Sequence, residues 1–231
     1  MDDSMDPRKY EAQLLIRWQA GDMDAGSQLI RLLSPGLIRY FRSHLEGDTH
    51  DLVQDTLMHL VSARGKIREA CSVRAYVYGT ARFKLYEHLR AITKRRKFDP
   101  LTHSVLDLCP RISTELRGRQ DAQLLLQALR SLPLDSQTAL QLYYIEGMSY
   151  REIADAYGLA EVATMRGRMH TYREQLRRAI AALELGPSAV AKSREAVEHW
   201  AVDLSECLFE SPDDDSEVDP EPTTRDSELT L

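Results

Sequence analysis

Residues 148–178, MSYREIADAYGLAEVATMRGRMHTYREQLRR, carry the sequence pattern that decides the fold. Ser149 followed three residues later by Glu152 is a capping box, which predicts the start of a helix. Gly158 predicts the end of that helix, because glycine adopts left-handed dihedrals without steric cost. Beyond it, apolar residues at helical spacing predict the buried stripe of a second helix: Val162, Met165, Met169, Tyr172 and Leu176. The segment therefore predicts two helices joined by a tight turn.

The other face of the second predicted helix is rich in cations and hydrogen-bond donors: Arg166, Arg168, His170, Thr171 and Arg173. A helix-turn-helix packs one side of its second helix on the first and offers the other side to the major groove of DNA. The alternative is an αα-hairpin whose basic face is merely solvated. The capping box, the turn glycine and the clustered arginines together favour the DNA-binding interpretation.

Charge is distributed unevenly along the 231-residue chain. The formal net charge is −6 at pH 7, yet residues 186–231 hold 3 Lys/Arg against 13 Asp/Glu, and residues 1–185 hold 27 against 23. The body is therefore mildly basic and the C-terminal segment strongly acidic. The overall charge does not argue against a nucleic-acid partner, because the basic face and the acidic segment are separate.

Several functional classes are disfavoured by composition and spacing. Cys71, Cys109 and Cys207 are far apart, which argues against a zinc site or a disulfide framework. The seven histidines are scattered and form no catalytic or metal-binding pattern, so we expect no enzyme, no metal and no cofactor. The acidic start of the chain does not resemble a signal peptide, and no apolar run approaches the ~18 residues of a membrane span. A cytoplasmic protein without membrane insertion is expected.

Helical periodicity recurs along the rest of the chain, and no strand pattern occurs. Residues 98–118 contain two prolines and no sustained periodicity, which predicts a linker. The expected helices lie at 11–20, 24–33, a further segment opened by Pro35, 48–64, 73–93, 121–132 and a segment capped by Asp135. The prediction is an all-α fold of two small helical bundles joined by the linker.

The predicted helix at 73–93 combines cations with planar rings. Its core stripe is Val73, Val77, Ala81, Leu85, Leu89 and Ile92, and its rings are Tyr76, Tyr78, Phe83 and Tyr86. Cations lie outside that stripe, and a basic run follows at 94–97. Single-stranded DNA is bound by such a mixture, because phosphates meet charge and unstacked bases meet rings. The alternative is that the rings belong to the core and the basic run complements the helix dipole.

Three segments together resemble one family. They are residues 14–45, LLIRWQAGDMDAGSQLIRLLSPGLIRYFRSHL; residues 51–90, DLVQDTLMHLVSARGKIREACSVRAYVYGTARFKLYEHLR; and residues 128–159, ALRSLPLDSQTALQLYYIEGMSYREIADAYGL. In order and spacing they resemble the extracytoplasmic-function class of sigma factors, small sigma-70 family members with only conserved regions 2 and 4. The resemblance implies a region 2 domain at 8–97, a linker at 98–118, a region 4 domain at 119–185 and an added extension at 186–231.

The resemblance also implies an alternative sigma factor whose partners are core RNA polymerase and promoter DNA, with an anti-sigma factor as a further regulator. The residues implied to bind the polymerase clamp helices are Asp51, Leu52, Gln54, Asp55 and Met58. Those implied to recognise and melt the −10 element are Arg74, Tyr76, Arg82, Phe83, Lys84, Glu87, His88, Arg90, Lys94 and Arg95. Those implied to read the −35 element are Thr164, Arg166, Gly167, Arg168, His170, Thr171 and Arg173, in a domain that also contacts the β flap.

The chain departs from the family pattern at several positions. Tyr76 and Phe83 replace the usual Trp and Asn of the melting helix, and Asp48-Thr49-His50 replaces a denser acidic stretch. Phosphorylation of Thr49 would restore about −1.5 to −2 of charge there, the alternative being a capping or solvated threonine. Phe83 leaves open a polymerase adaptor that does not melt promoters. The other alternative is a stand-alone helix-turn-helix regulator, against which residues 48–97 argue, because such a regulator needs no melting helix.

The C-terminal extension predicts two different segments. Residues 188–209 place Val190, Val197, Ala201, Leu204 and Leu208 on one face of an amphipathic helix, which seeks an apolar partner. Residues 211–231 are acidic and nearly free of apolar side chains, which predicts disorder. The acidic end either competes with promoter phosphate for the basic helix-turn-helix or acts only as a solubilising tail.

Overall fold

The computed structural model describes residues 7–67, 72–93, 98–108, 120–183, 201–202 and 204. The helices are α1 Pro7–Gln19, α2 Met23–His44, α3 His50–Ala63, α4 Val73–Thr93, α5 Val105–Leu108, α6 Gln120–Ser131, α7 Leu134–Tyr144, α8 Tyr150–Ala156 and α9 Val162–Leu183, with a 3-10 turn at Arg64–Lys66. Within the described residues the only β pairing is an isolated bridge between Ser104 and Pro133. The predicted all-α fold is confirmed.

The N-terminal bundle comprises α1 to α4. A tight turn joins α1 to α2, where Gly21 has a φ of +104° and the Asp22 carboxylate caps α2 by accepting the Ala25 N–H at 3.0 Å. Gly26 of α2 then lies against the Trp18 indole, so close that a Cβ there would stand 2.4 Å from Nε1. The absence of a side chain at Gly26 therefore permits the close packing of these two helices.

Pro35 lies inside α2, and the expectation that it opens a new helix is wrong. The apolar face continues on both sides of the proline, since Leu29, Leu33 and Leu37 are all buried. A proline in a helix removes the donor to the carbonyl four residues earlier. That carbonyl belongs to the exposed Arg31, where water can supply the missing donor.

The C-terminal bundle comprises α6 to α9 and contains the predicted two-helix unit. The Ser149–Glu152 capping box is present in both directions, and Gly158 ends α8 with a φ of +66°. The predicted stripe of α9 faces the core, with Met165, Met169, Tyr172 and Leu176 buried and Val162 partly buried. The helix-turn-helix geometry inferred from residues 148–178 is therefore confirmed.

The predicted linker is structured over its first part. Residues 98–108 contain α5 and pack on the start of α7, where the Leu134 N–H donates to the His103 carbonyl at 3.0 Å. Residues 109–119 lie outside the described residues, so the linker expectation stands untested there. Ile92, expected in the core of α4, is half exposed instead.

The two bundles pack against each other along α4 and α8 and at the C-terminal end of α2. The last carbonyls of a helix have no partner within the helix, and cations stabilise that end. Arg130 of α6 donates to the Ser43 carbonyl at 2.7 Å and to the Arg42 carbonyl at 2.8 Å. The C-terminal bundle thus caps a helix of the N-terminal bundle.

The extension contributes two residues to the described core. Ala201 and Leu204 are helical and fully buried, as an apolar face at 188–209 requires. The remaining expectations for residues 186–231 lie outside the described residues. Across the parts of the chain that are described, no helix has the length and hydropathy needed to cross a membrane.

His44 is fully buried between the bundles and gives the fold a pH dependence. Its Nδ1 lies 2.8 Å from the Tyr40 carbonyl and its Nε2 lies 3.2 Å from the Thr138 hydroxyl. These contacts suit a neutral imidazole that donates from Nδ1 and accepts at Nε2. Burial lowers the pKa of His44 from 6.5 to about 3.

We predict that stability falls between pH 6.5 and 3 partly through His44. The unfolded chain protonates this imidazole below pH 6.5 while the folded chain does not, so lowering the pH favours unfolding. By about pH 5 the loss should reach roughly 2 kcal/mol. Urea titrations give the free energy of unfolding at each pH. Between about pH 7.5 and about pH 5, this free energy should fall less for the variant His44→Gln than for wild type. An equal decline in both proteins would show that His44 does not titrate as described.

Candidate nucleic-acid interface

The outer face of α3 is polar and exposed to solvent. Asp51, Gln54, Asp55 and Met58 are exposed, and Met58 keeps 58% of its surface accessible. Leu52 is partly buried and packs against the core. The opposite side of the helix carries the buried Val53, Thr56 and Leu60, which anchor it. The residues predicted to form one recognition face therefore do share one face.

Thr49 occupies the N-cap position of α3 and is only 6% exposed. Its side chain makes no capping hydrogen bond within the described part of the chain, whereas the neighbouring Asp48 carboxylate accepts the His50 N–H at 2.8 Å. A hydroxyl this buried is closed to a kinase unless the local structure opens. The Thr49 phosphorylation hypothesis thus requires an opening step that the sequence did not indicate.

Helix α4 presents one stripe to the C-terminal bundle. Arg74, Tyr78, Arg82 and Tyr86 recur every four residues, so they lie along one side of the helix. The Arg74 guanidinium contacts both oxygens of Glu11, with an Nη2–Oε1 distance of 2.7 Å. Tyr78 and Tyr86 are buried. These two rings therefore belong to the core. For Tyr78 and Tyr86, this favours the core alternative over stacking on unpaired bases.

The next stripe of α4 faces solvent. Phe83 is 61% exposed, and Glu87 and Arg90 are exposed beside it. Lys84 and His88 are half-buried, with the Lys84 ammonium 3.6 Å from an Asp55 carboxylate oxygen. Tyr76 is partly buried and packs against the core. Of the predicted −10 residues, Lys94 and Arg95 lie outside the described residues.

Arg82, like Arg74, is a largely enclosed cation of α4. Its guanidinium lies 4.0 Å from the ring centroid of Tyr157, directly after α8, and 5.2 Å from that of Tyr86. Its Nη2 is 3.5 Å from the Asp135 Oδ1. A cation over aromatic faces and beside a carboxylate is well compensated. Arg82 is therefore partnered by the C-terminal bundle.

The N-terminal half of α9 presents an accessible polar and basic surface. Thr164, Arg166, Gly167, His170 and Thr171 are all exposed. No described atom lies within 4 Å of the position that a Cβ on Gly167 would take, so packing does not require this glycine. Arg168 is half exposed, with its Nη1 3.8 Å from the Asp135 Oδ2.

Arg173, predicted as a DNA-reading residue, lies in a cage of three tyrosines. Its Nη2 donates to the Tyr150 hydroxyl at 2.6 Å and its Nε to the Tyr144 hydroxyl at 3.0 Å. The guanidinium carbon is 4.8 Å from the ring centroid of Tyr143. These contacts join α9 to α7 and α8. Arg173 therefore has a structural role in the packing of α9.

The sequence did not indicate that the carboxylates of Asp135 and Glu146 are buried and bind distant side chains. Asp135 was expected to cap α7, yet Pro133 holds the N-cap position, and the 3% exposed Asp135 carboxylate instead accepts the Tyr172 hydroxyl at 2.8 Å. Glu146 follows α7 and contacts Arg39, which lies 107 positions earlier. Local sequence carries no signal for contacts of that separation. Within the described residues, no group of His, Cys, Asp and Glu is arranged to hold a metal ion.

Comparison with known proteins gives consistent matches to both bundles. The family model "Sigma-70 region 2" matches residues 29–96, and "Sigma-70, region 4" matches residues 122–170. The chain is 29% identical over 177 residues to the "ECF RNA polymerase sigma factor SigF" of Caulobacter vibrioides, covering 72% of this chain and 93% of that protein. It is 28% identical over 188 residues to the "RNA polymerase sigma-H factor" of Pseudomonas aeruginosa, covering 75% and 95%.

Two solved structures share the fold. The structure of CnrH in complex with the cytosolic domain of CnrY matches with a TM-score of 0.54 and 23% identity, covering 75% of this chain and 98% of that chain. The sigma factor RpoE in complex with the anti-sigma factor NepR from Bartonella quintana matches with a TM-score of 0.52 and 23% identity, covering 67% and 96%. At this identity the two structures support the fold alone.

We predict that Arg173→Ala destabilises the fold, whereas Arg166→Ala does not. Removal of the Arg173 guanidinium breaks two hydrogen bonds to tyrosine hydroxyls and three ring contacts. Together these losses should lower the free energy of unfolding by about 1–3 kcal/mol. Arg166 is exposed, so its removal should change the free energy of unfolding by less than about 0.5 kcal/mol. Urea unfolding of both variants measures the difference. Equal stabilities would show that the tyrosine cage does not support α9.

Proposed function

Because the chain belongs to the extracytoplasmic-function class of the sigma-70 family, we propose a separate role for each exposed face of its two bundles. The chain is an alternative sigma factor that binds core RNA polymerase and directs it to promoters. Sigma factors act by recognition rather than by catalysis. The roles below assign that recognition to particular side chains of this protein.

We assign core polymerase binding to α3. The observation that supports this role is the exposed row of Asp51, Gln54, Asp55 and Met58, joined by the partly buried Leu52. Two carboxylates around an exposed methionine offer a partner both charge complementarity and apolar contact area. Region 2 then corresponds to residues 8–97 and binds the clamp helices of the largest polymerase subunit.

We assign recognition of the melted −10 element to the exposed stripe of α4. Phe83 can stack on an unpaired base, because its ring is largely accessible and sequence-tolerant stacking needs only a free π-face. Lys84 and Arg90 can approach the phosphates on either side of that ring. Tyr76, Glu87 and His88 complete this surface. The proposal also includes Arg74 and Arg82 of the covered stripe, and Lys94 and Arg95 beyond the described end of α4.

We assign reading of duplex −35 DNA to the N-terminal half of α9, within a region 4 domain at 119–185. An α-helix fits the major groove, and the donors exposed along this half are those that contact phosphates and base edges. Arg166, His170, Thr171 and Thr164 are the accessible members, and Arg168 joins them when it leaves Asp135. Arg173 has a positioning role in this proposal.

The proposal places the protein in the cytoplasm, where core polymerase and promoter DNA are found. It includes regulation by an anti-sigma factor, on the analogy of RpoE from Bartonella quintana, which is bound to the anti-sigma factor NepR. Residues 98–118 serve as the linker that sets the reach between the two promoter-reading domains, and residues 186–231 remain an added extension.

We predict that reversing both carboxylates of the α3 face, Asp51→Arg with Asp55→Arg, weakens binding to core polymerase at least tenfold. Like-charge contacts replace attraction, and among the described residues the only ion pair of these two carboxylates is that of Asp55 with Lys84. Pull-down of purified core polymerase and circular dichroism of the variant measure binding and folding. The matched control is Asp24→Arg, a reversal at an exposed position of α2. Undiminished binding by a folded double variant would contradict the assignment.

We also predict that Arg166→Ala lowers the salt dependence of duplex binding. Each phosphate contact removed should reduce the slope of log affinity against log salt by about 0.9, because fewer counterions are released. Fluorescence anisotropy with a duplex of arbitrary sequence tests this, and Arg31→Ala, exposed on α2, is the control. The same slope for Arg166→Ala and wild type would remove this arginine from the DNA surface.

A further inference from the structure

Gly167 lies in the exposed half of α9 and takes no part in the contacts proposed for its neighbours. Those neighbours offer donors and cations to duplex DNA, whereas a glycine offers no side chain to a base. We propose that Gly167 is a specificity-determining residue, because it lets the backbone of α9 approach the base edges of the −35 duplex. This inference rests on the proposed function of α9 and adds a steric requirement to it.

The glycine weakens the helix that contains it. Gly167 lies inside the 22-residue α9, where glycine is less favourable than alanine because its backbone loses more conformational freedom. Left-handed dihedrals do not explain the glycine, since among the described residues the glycines with a positive φ are Gly21, Gly47, Gly147 and Gly158. The backbone at Gly167 is helical, and an alanine would adopt it more readily.

Packing does not explain this glycine either. At Gly26 a Cβ would stand 2.4 Å from the Trp18 indole, so the contact between two helices requires that glycine. At Gly167 no described atom beyond the nearby backbone of α9 itself lies within 4 Å of the Cβ position. A residue that weakens its helix and serves no contact within the described protein points to a contact with a partner.

Gly167 lies at the centre of the outward face of α9. Residues three and four positions apart share one face of a helix, and Thr164, His170 and Thr171 at those positions are exposed. The preceding residue, Arg166, is exposed as well. The Thr171 hydroxyl turns back and donates to the Gly167 carbonyl at 3.4 Å. The outward face therefore has a hollow at Gly167, with cations and donors around it.

The dimensions of the major groove give this hollow a function. An α-helix with its side chains is about 10–12 Å across and the groove is about 12 Å wide, so the helix fits with little clearance. A glycine at the point nearest the base edges removes the atoms that would limit the depth of insertion. The neighbouring Arg166 and Thr171 then reach base edges as well as phosphates. The hollow thus adds sequence reading to an electrostatic contact.

The test adds side chains of increasing size at this position of the full chain, as Gly167→Ala and Gly167→Leu. Both residues favour a helix more than glycine does, so neither variant should be less stable than wild type in urea unfolding. Gly65→Ala and Gly65→Leu are the matched controls, because the Cβ position of Gly65 also has no described atom within 4 Å. Lower stability of Gly167→Ala would show that the fold requires the glycine, and it would overturn the proposal.

The DNA probe is obtained with the complex of wild-type protein and core RNA polymerase. This complex selects duplexes from a pool of random sequence, and core polymerase alone gives the background. Fluorescence anisotropy then measures the affinity of each variant complex for the enriched duplex and for a copy whose upstream element is scrambled. The ratio of the two affinities is the specificity. If no upstream element is enriched, the proposed function of α9 is contradicted and the inference falls with it.

The proposal expects a loss of specificity that grows with side-chain size. Gly167→Ala should lower the ratio about fivefold and Gly167→Leu more than about twentyfold, because one or more base contacts are lost. Affinity for the scrambled copy should stay within about twofold of wild type, and both Gly65 variants should match wild type.

Three results would overturn the proposal when an upstream element is enriched. An unchanged ratio for Gly167→Ala would show that alanine serves as well as glycine. An equal loss on the enriched and scrambled duplexes would show that the glycine supports general affinity rather than sequence reading. A loss for Gly167→Ala as large as that for Gly167→Leu would show that glycine acts through helix flexibility, since alanine is the stronger helix former.

Discussion

The carboxylate of Asp135 is the constraint on which the arrangement of the two bundles depends. It is buried at the start of α7, accepts the hydroxyl of Tyr172 and faces Arg82 and Arg168 from two different helices. A buried anion needs compensation by several donors or cations, and here they come from both bundles. Helices α4 and α9 are thus both tied to one carboxylate.

Arg82 joins the two bundles through two kinds of contact. Its guanidinium faces the Asp135 carboxylate and lies over the Tyr157 ring, so a charge and an aromatic face of the C-terminal bundle both stabilise it. The next residue of α4, Phe83, is exposed to solvent. Neighbouring residues of one helix therefore serve the contact between the bundles and the outer surface.

The sequence predicted those features that depend on near neighbours in the chain. The Ser149–Glu152 cap, the Gly158 turn and the stripe of α9 all follow from spacings of four residues or fewer. It failed at Pro35, because the apolar face of α2 outweighs a local helix-breaking signal that one exposed carbonyl can tolerate. It also failed to foresee the Arg173 cage and the Glu146 contacts, since basic and acidic residues give the same local pattern whether they meet solvent or distant partners.

The central claim, that the Asp135 carboxylate holds the two bundles together, is tested most directly by one distance. Spin labels at Gln13 on α1 and Gln127 on α6 occupy exposed positions on the two bundles. With Cys71, Cys109 and Cys207 replaced by serine, double electron–electron resonance reports the separation of the labels. The account predicts a single short distance when Asp135 is present and a longer or broader distribution in the variant Asp135→Asn, which keeps the shape of the side chain and removes its charge. The same distance distribution in both proteins would contradict it.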